Sequence, residues 1–239
     1  LDKVDRNANM NNSTSKLVNI SGAEAVIRCL LEEEANLVYG YPGGAIMPIY
    51  DEIFKFQDQL HHVLTRHEQG ATHAAQGFAR TSGKVGVALA TSGPGATNLV
   101  TGIADAQIDS TPMVCITGQV ASNLLGSDAF QETDMVGVSR PVVKHSFIVK
   151  HCSEIPLIIR KAFHIATTGR PGPVVIDIPK DTTDPEILET YEFPESIQMR
   201  SYNPVVEGNA KQIAKAVKQI FSSKKPIFYV GGGAVQSDA

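Results

Sequence analysis

What this sequence has little of narrows its chemistry first. Cysteine is scarce: three residues, Cys29, Cys115 and Cys152, lie far apart in helix- or strand-like stretches. Their spacing suits neither a zinc site nor a disulfide framework, so they read as buried thiols in a reducing compartment. No apolar run approaches the ~20 residues of a membrane-spanning helix. The opening Leu1-Asp2-Lys3-Val4-Asp5 lacks the apolar core of an export signal. Neither sign of charge dominates, since the formal net charge is -4, and nothing favours nucleic acid or an anionic membrane. There is no internal repeat, and the only biased tract is the Asn- and Ser-rich stretch 7–15. What remains has the composition of an ordinary globular chain, 42% hydrophobic and 19% charged over 239 residues, enough for one domain and part of another.

What is present alternates. After a disordered lead-in over 1–20, Ser21-Gly22-Ala23-Glu24 has the form of a capping box. Ala23, Val26, Ile27, Leu30 and Leu31 follow at helical spacing. Short apolar strands are predicted over 37–41, 62–65, 85–90, 113–117, 147–150 and 174–178. Helices are predicted between them over 46–56, 68–81, 96–107 and 156–167, and residues 118–130 read as a long loop. Continuous apolar strands such as 85–90 belong to parallel sheets covered on both faces. The pattern predicts an α/β fold with a doubly wound parallel sheet over 21–182. A Pro-, Glu- and Ser-rich linker spans 183–208. A second α/β domain opens over 209–239 with a helix, a strand at 226–230 and Gly231-Gly232-Gly233.

Several stretches invite a ligand. Glu68, in Thr65-Arg66-His67-Glu68-Gln69-Gly70-Ala71, follows a strand and opens a small-residue helix, at the sheet edge where open α/β folds bind ligands. Small and apolar neighbours solvate its charged form poorly and tend to raise its pKa, which suits proton exchange with a weakly basic heterocycle. An exposed glutamate favoured by the helix dipole would read the same from this stretch alone. Tyr41-Pro42-Gly43-Gly44 is a glycine turn that allows close approach of a flat ligand, or a plain tight turn. Thr91 to Asn98, Thr-Ser-Gly-Pro-Gly-Ala-Thr-Asn, is similar to an anion cradle at a helix start, although it lacks the lysine and the spacing of a Walker loop. Phe130-Gln131-Glu132 ends the long loop, where an aromatic and an amide can wall a pocket or simply pack. Arg170, in Gly-Arg-Pro-Gly-Pro, can pair with a phosphate or carboxylate or stay solvated. Lys180 follows a strand and faces the ligand edge, whereas Lys144 and His145 precede one, and His145 reads as structural.

Taken in order, Tyr-Pro-Gly-Gly-Ala, Arg-His-Glu-Gln-Gly-Ala, Thr-Ser-Gly-Pro-Gly-Ala-Thr-Asn, Asp-Ala-Phe-Gln-Glu, Gly-Arg-Pro-Gly-Pro-Val and Asp-Ile-Pro-Lys-Asp are specific as a set. From residue 21 onward the chain resembles the thiamin-diphosphate enzymes, and among them the acetolactate (acetohydroxyacid) synthase large subunits. The bacterial type is nearer than the plant type, because no transit peptide is visible and Ala121 stands where plant enzymes usually carry Pro. The resemblance implies a bacterial cytoplasmic enzyme rather than a plastid one. It further implies a pyrimidine-binding domain, an FAD-holding middle domain and a diphosphate-binding domain. This sequence covers the first and the start of the second, so it reads as an N-terminal fragment.

The resemblance also implies roles. Glu68 would hydrogen-bond the aminopyrimidine and favour its imino tautomer. Gln131 would contact the cofactor, Phe130 would shape the substrate pocket, and Lys180, with Lys144, would line the substrate channel. Tyr41, Pro42, Gly43, Pro94, Asn98, Glu68 and Gln131 would contact thiamin diphosphate; Ser110, Arg170, Gly231, Gly232 and Gly233 would contact FAD. No metal ligand falls in this chain. Mg2+ goes with a Gly-Asp-Gly run and paired Asn that this sequence lacks. The implied reaction decarboxylates pyruvate and joins the two-carbon unit to a second 2-oxo acid, giving 2-acetolactate or 2-aceto-2-hydroxybutyrate in branched-chain amino-acid synthesis. Implied partners are those small 2-oxo acids, a second subunit sharing the active site in a homodimer, and a small regulatory subunit. An FAD-containing pyruvate oxidase is the alternative, and a non-catalytic nucleotide-binding module is a third reading. Glyoxylate carboligase is disfavoured, since that enzyme has Val at the position of Glu68.

Overall fold

The structure, a computed structural model, describes residues 17–237. The Asn- and Ser-rich stretch 7–15 lies outside the described residues. The last part of the expected lead-in is ordered: β1 (Leu17–Ser21) precedes α1 (Gly22–Glu32). Ser21 caps α1 by accepting from Glu24 N at 3.2 Å. Only half of the expected capping box forms, because the Glu24 carboxylate instead takes Arg28 Nε at 2.8 Å.

The chain then alternates as a parallel sheet requires. In order come β2 (Leu37–Gly40), α2 (Met47–Lys55), β3 (His61–Leu64), α3 (Glu68–Ser82) and β4 (Gly86–Ala90). Next come α4 (Pro94–Asn98), α5 (Val100–Ile108), β5 (Met113–Gln119), α6 (Met135–Ser139) and β6 (His145–Ile148). The domain closes with α7 (Ile155–Thr167), β7 (Pro173–Pro179) and β8 (Leu188–Tyr191), and α8 (Ala210–Ser222) and α9 (Gly232–Gln236) follow. Six strands form one parallel sheet in the order β3-β2-β4-β5-β7-β6. The order reverses between β2 and β4. A crevice opens above the carboxyl ends of strands at such a reversal.

Both faces are covered, as period-2 alternation dictates. Val87, Leu89, Val114, Ile116, Val174 and Ile176 point to one side and pack with Ile27 and Leu30 of α1, Ile49 of α2 and Ile159 of α7. Ala88, Ala90, Cys115 and Val175 point to the other, against Ala71 and Ala75 of α3, Ile103 of α5 and Met135 of α6. This second face is lined largely by alanine, so α3 can lie close to the sheet and bring its first residue to the crevice. Gly83, at φ 72°, ends α3 in the left-handed region that glycine adopts freely.

The departures from the sequence-based expectation have local causes. The helix expected over 96–107 is two helices that meet at Leu99. The strand expected over 147–150 begins earlier, at His145, and β5 runs on to Gln119, two residues into the expected loop. Within the expected linker 183–208, β8 pairs antiparallel with β1, Ile20 opposite Glu189. The helix expected in the second domain forms as α8, with Asn209 Oδ1 accepting from Lys211 N and Gln212 N, each at 3.1 Å. The strand expected at 226–230 does not form. It has no ladder partner among the described residues, and Ile227 is 94% exposed. A strand exists through its neighbours' hydrogen bonds, so apolar sequence alone does not make one.

Candidate functional site

The crevice gathers the residues that the sequence scattered. Glu68 is the first residue of α3, placed by β3 on one side and by its N-cap on the other, where His67 Nδ1 accepts from Gln69 N at 3.1 Å. The carboxylate is buried, 9% exposed, so it is not the solvated helix-start glutamate of the alternative reading. Asn98 Nδ2 donates to its Oε2 at 2.9 Å. The helix N-terminus beneath it adds a favourable dipole. Oε1 lies over Gly95, where an added Cβ would stand 3.2 Å from it.

Two glycine-bearing turns flank this carboxylate, one after β2 and one after β4. They are tied together by Ala45 N donating to Thr91 Oγ1 at 3.3 Å. The packing leaves no room for side chains: a Cβ on Gly43 would meet Thr91 Cβ at 2.5 Å, and one on Gly95 would meet Thr91 Cγ2 at 2.7 Å. The turns therefore present bare backbone to the crevice, with Tyr41, Pro42 and Pro94 exposed on its rim. Asn98 is occupied in holding Glu68, a more specific task than the cofactor contact expected of it.

The long loop crosses the same edge. Gln131 takes φ 59°, a left-handed conformation rare outside glycine. Its carbonyl presses on Gly93, whose hypothetical Cβ would lie 2.5 Å from Gln131 O. Phe130, beside it, projects from the loop and is 89% exposed, so within this chain it forms a tip rather than a wall. Lys180, exposed, follows β7 at this edge, as expected. Lys144 lies at the opposite edge: its ammonium bonds Ile165 O, Thr168 O at 2.8 Å and the Tyr202 hydroxyl at 3.1 Å. That geometry makes it a brace between α7 and the segment after β8, against its implied place in a channel. His145, exposed as the first residue of β6, stacks edge-on against Phe147.

The FAD candidates assemble elsewhere. Ser110, Arg170, Gly232 and Gly233 line a cleft of about 670 Å³ with Asp109, and Gly231 caps α9 beside it. Arg170 Nε donates to Ser110 Oγ at 2.7 Å, and Nη2 donates to Ile108 O at 2.9 Å and to Gln107 O at 3.2 Å. The guanidinium thus closes the carboxyl end of α5, and Ser110 takes φ 57° beneath it.

One group escaped the sequence reading. Asp177, in β7, is 1% exposed; Thr117 Oγ1 donates to Oδ1 at 2.6 Å and Gln119 Nε2 to Oδ2 at 2.9 Å. Burial pushes this carboxyl up to about 6, against the pull of those two hydrogen bonds. The signal was a charged residue inside an otherwise apolar strand, with Thr and Gln two apart on the neighbouring one.

Residues 20–138 match the family model described as the thiamine pyrophosphate enzyme N-terminal TPP binding domain. The chain is 58% identical over 219 residues to an acetolactate synthase large subunit of Haemophilus influenzae, covering 92% of this chain and 38% of that protein. It is 55% identical over 216 residues to the acetolactate synthase isozyme 3 large subunit of Escherichia coli K12, covering 90% and 38%. A probable acetolactate synthase large subunit of Methanococcus aeolicus matches at 52% over 221 residues, covering 92% and 37%. The chain thus spans little more than a third of the length of these relatives.

Proposed function

We infer that this chain, which belongs to the thiamine pyrophosphate enzymes through their N-terminal TPP-binding domain, is the pyrimidine-binding part of an acetolactate synthase large subunit. The proposed reaction decarboxylates pyruvate and joins the two-carbon unit to a second 2-oxo acid, yielding 2-acetolactate or 2-aceto-2-hydroxybutyrate. The observation that carries it is the buried Glu68 carboxylate, held by Asn98 at the strand-order reversal.

The residues present fit thiamin diphosphate. A cradle of bare backbone at Gly43 and Gly95 beside one buried carboxylate suits a flat, weakly basic ring. When bound, the cofactor supplies an electron sink for breaking the bond to the carboxylate of a 2-oxo acid. The chain's own residues bind and orient it. Glu68 would hold a proton at the ring nitrogen, Asn98 holds the Glu68 carboxylate in place, and Gly43, Pro42, Tyr41, Pro94 and Gln131 would pack against the cofactor. Phe130 and Lys180 stand at the same edge for the substrate. FAD is proposed for the cleft of Ser110, Arg170, Gly232 and Gly233, where the guanidinium offers positive charge to a phosphate. Among the described residues no group of three His, Cys, Asp or Glu is placed to hold a metal. Mg2+ is assigned to a diphosphate-binding domain outside this chain, and none of the roles above passes through it.

Further parts of the proposal are a homodimer sharing its active site, a small regulatory subunit and a bacterial cytoplasmic location. The phrase "large subunit" in the relatives' names supports a smaller companion. The test is product analysis. Native full-length protein given pyruvate, thiamin diphosphate, Mg2+ and FAD should form 2-acetolactate, and acetyl phosphate or acetate as the main product would replace this reading with an oxidase. Glu68→Gln keeps shape but loses the proton-holding carboxylate, and should cut turnover about 10²–10⁴-fold.

A further inference from the structure

Gln119 is the last residue of β5 and is 2% exposed. Its side chain makes three hydrogen bonds, one to each end of the loop 120–134 and one to Asp177 of β7. Oε1 accepts from Val120 N at 2.8 Å, where the loop leaves the sheet. Nε2 donates to Thr133 O at 2.7 Å, where the loop ends, and to Asp177 Oδ2 at 2.9 Å. Asp177 is in turn held by Thr117 Oγ1 at 2.6 Å, across the β5–β7 register that sets Thr117 opposite it. A second carboxylate pins the loop nearby: Asp181 Oδ1 accepts from Ser122 N at 2.9 Å and from Ser122 Oγ at 3.1 Å. Both anchoring carboxylates come from one element, β7 and the turn after it. Polar side chains buried within a parallel sheet are expensive unless each donor and acceptor is satisfied; here Thr117, Asp177 and Gln119 satisfy one another, and Gln119 completes its bonds on the loop backbone.

We propose that Asp177 and Gln119 are positioning residues of this site: the Thr117–Asp177–Gln119 network clamps both ends of the loop 120–134 to the sheet and so sets where Phe130 and Gln131 stand over the crevice. Between those ends the loop is held by Asp181 at Ser122 and by its own Glu132 carboxylate, which accepts from Gly126 N and from Ala129 N, the latter at 3.0 Å. Between its ends it carries Leu124, 44% exposed, and Leu125, 38% exposed, with Phe130 projecting. The strained φ of Gln131 against Gly93 persists only if the ends are held. The clamp differs from a bulk core contact because its bonds run to loop backbone, so its loss loosens the loop before it loosens the sheet. This inference rests on the proposed reaction only for the meaning of Phe130 and Gln131; the clamp itself is independent of it.

The experiment uses the native full-length protein and two readouts. The first is amide hydrogen exchange without substrate. Gln119→Met, close in volume but without the amide, should speed exchange over 120–134 while β4 and β7 keep wild-type protection. The second is steady-state kinetics. Gln119→Met should raise KM for pyruvate roughly three- to tenfold, the scale of one or two net hydrogen bonds, with kcat changed much less. Asp177→Asn can still accept from Gln119 and donate to Thr117, so it should retain most of the loop's protection. If Gln119→Met does not fold, Thr117→Val removes only the hydroxyl that holds Asp177 and should speed exchange over 120–134 to a smaller extent. Wild-type exchange over the loop in a folded Gln119→Met or Thr117→Val protein overturns the clamp, as does a fall in kcat with KM unmoved. A wild-type protein that makes no acetolactate yet shows the exchange pattern overturns the proposed reaction and leaves the clamp standing.

Discussion

At Asp177 burial and hydrogen bonding pull in opposite directions, and burial wins, raising the carboxyl from 3.8 to about 6. The folded state therefore favours the protonated form. Its contribution to stability is present below about pH 3.8 and is lost as pH rises through about 6. The loss amounts to at most about 3 kcal/mol. Asparagine cannot ionise, so Asp177→Asn should gain stability relative to wild type between pH 4 and 6, with a flat difference above pH 7. Denaturant midpoints across that range give the check, and parallel pH profiles would show that the aspartate titrates normally. Arg170 also has a task beyond the expected one. It closes the end of α5 as well as facing the cleft. Arg170→Ala should weaken flavin retention about tenfold to a hundredfold while thiamin diphosphate binding holds, since a charge-assisted bond is worth roughly 1.5–3 kcal/mol. Flavin titration of the full-length variant would show an unchanged affinity if the arginine serves α5 alone. Asp177 left only one signal in the sequence, a charged residue inside an apolar strand, and its partners could not be read without the register that sets Thr117 opposite it.

Elements were more legible than their seams. Continuous apolar runs such as Val87 to Ala90 and Val174 to Ile176 can hardly be anything but covered strands, and their burial is complete. The place of Glu68 followed from the same logic, because a strand must end at an edge before a helix can begin. The break between α4 and α5 at Leu99 and the pairing of β1 with β8 did not follow. Leu188 is 51% exposed, so β8 lacks the buried alternation that marks a strand in sequence. Strand propensity at 226–230 misled for the converse reason, as apolar residues there meet no sheet. Two helical glycines, Gly77 of α3 and Gly95 of α4, give a matched pair of tests. Gly77, inside α3, has nothing within 4 Å of a Cβ, and Gly77→Ala should stabilise the protein by about 0.5–1 kcal/mol by denaturant titration. Gly95→Ala would drive a methyl group against Thr91 and toward the Glu68 carboxylate. It should lower turnover and cofactor affinity together, and wild-type kinetics for that variant would remove Gly95 from the cradle.

On the scale of the whole molecule, apolar side chains face outward where a single domain would bury them. Phe54 is 71% exposed, Leu64 60% and Phe130 89%, and α8 shows Ile213 and Val217 to solvent at 54% and 44%. Patches of this kind mark surfaces that other protein covers. These 239 residues alone should therefore self-associate in concentration-dependent sedimentation and bind thiamin diphosphate weakly. A monodisperse monomer that binds the cofactor tightly would refute the shared-site proposal. The β1–β8 ladder also has a mechanical consequence. Because the two strands run antiparallel with Leu17 opposite Tyr191, a load applied at those two residues meets the ladder at one end. The rungs then open one after another, like a zip, while the parallel sheet behind them carries no tension. Stretched between these points, the domain should give way first in a small, low-force step that frees Leu17 to Ser21 and Leu188 to Tyr191, and only afterwards rupture cooperatively.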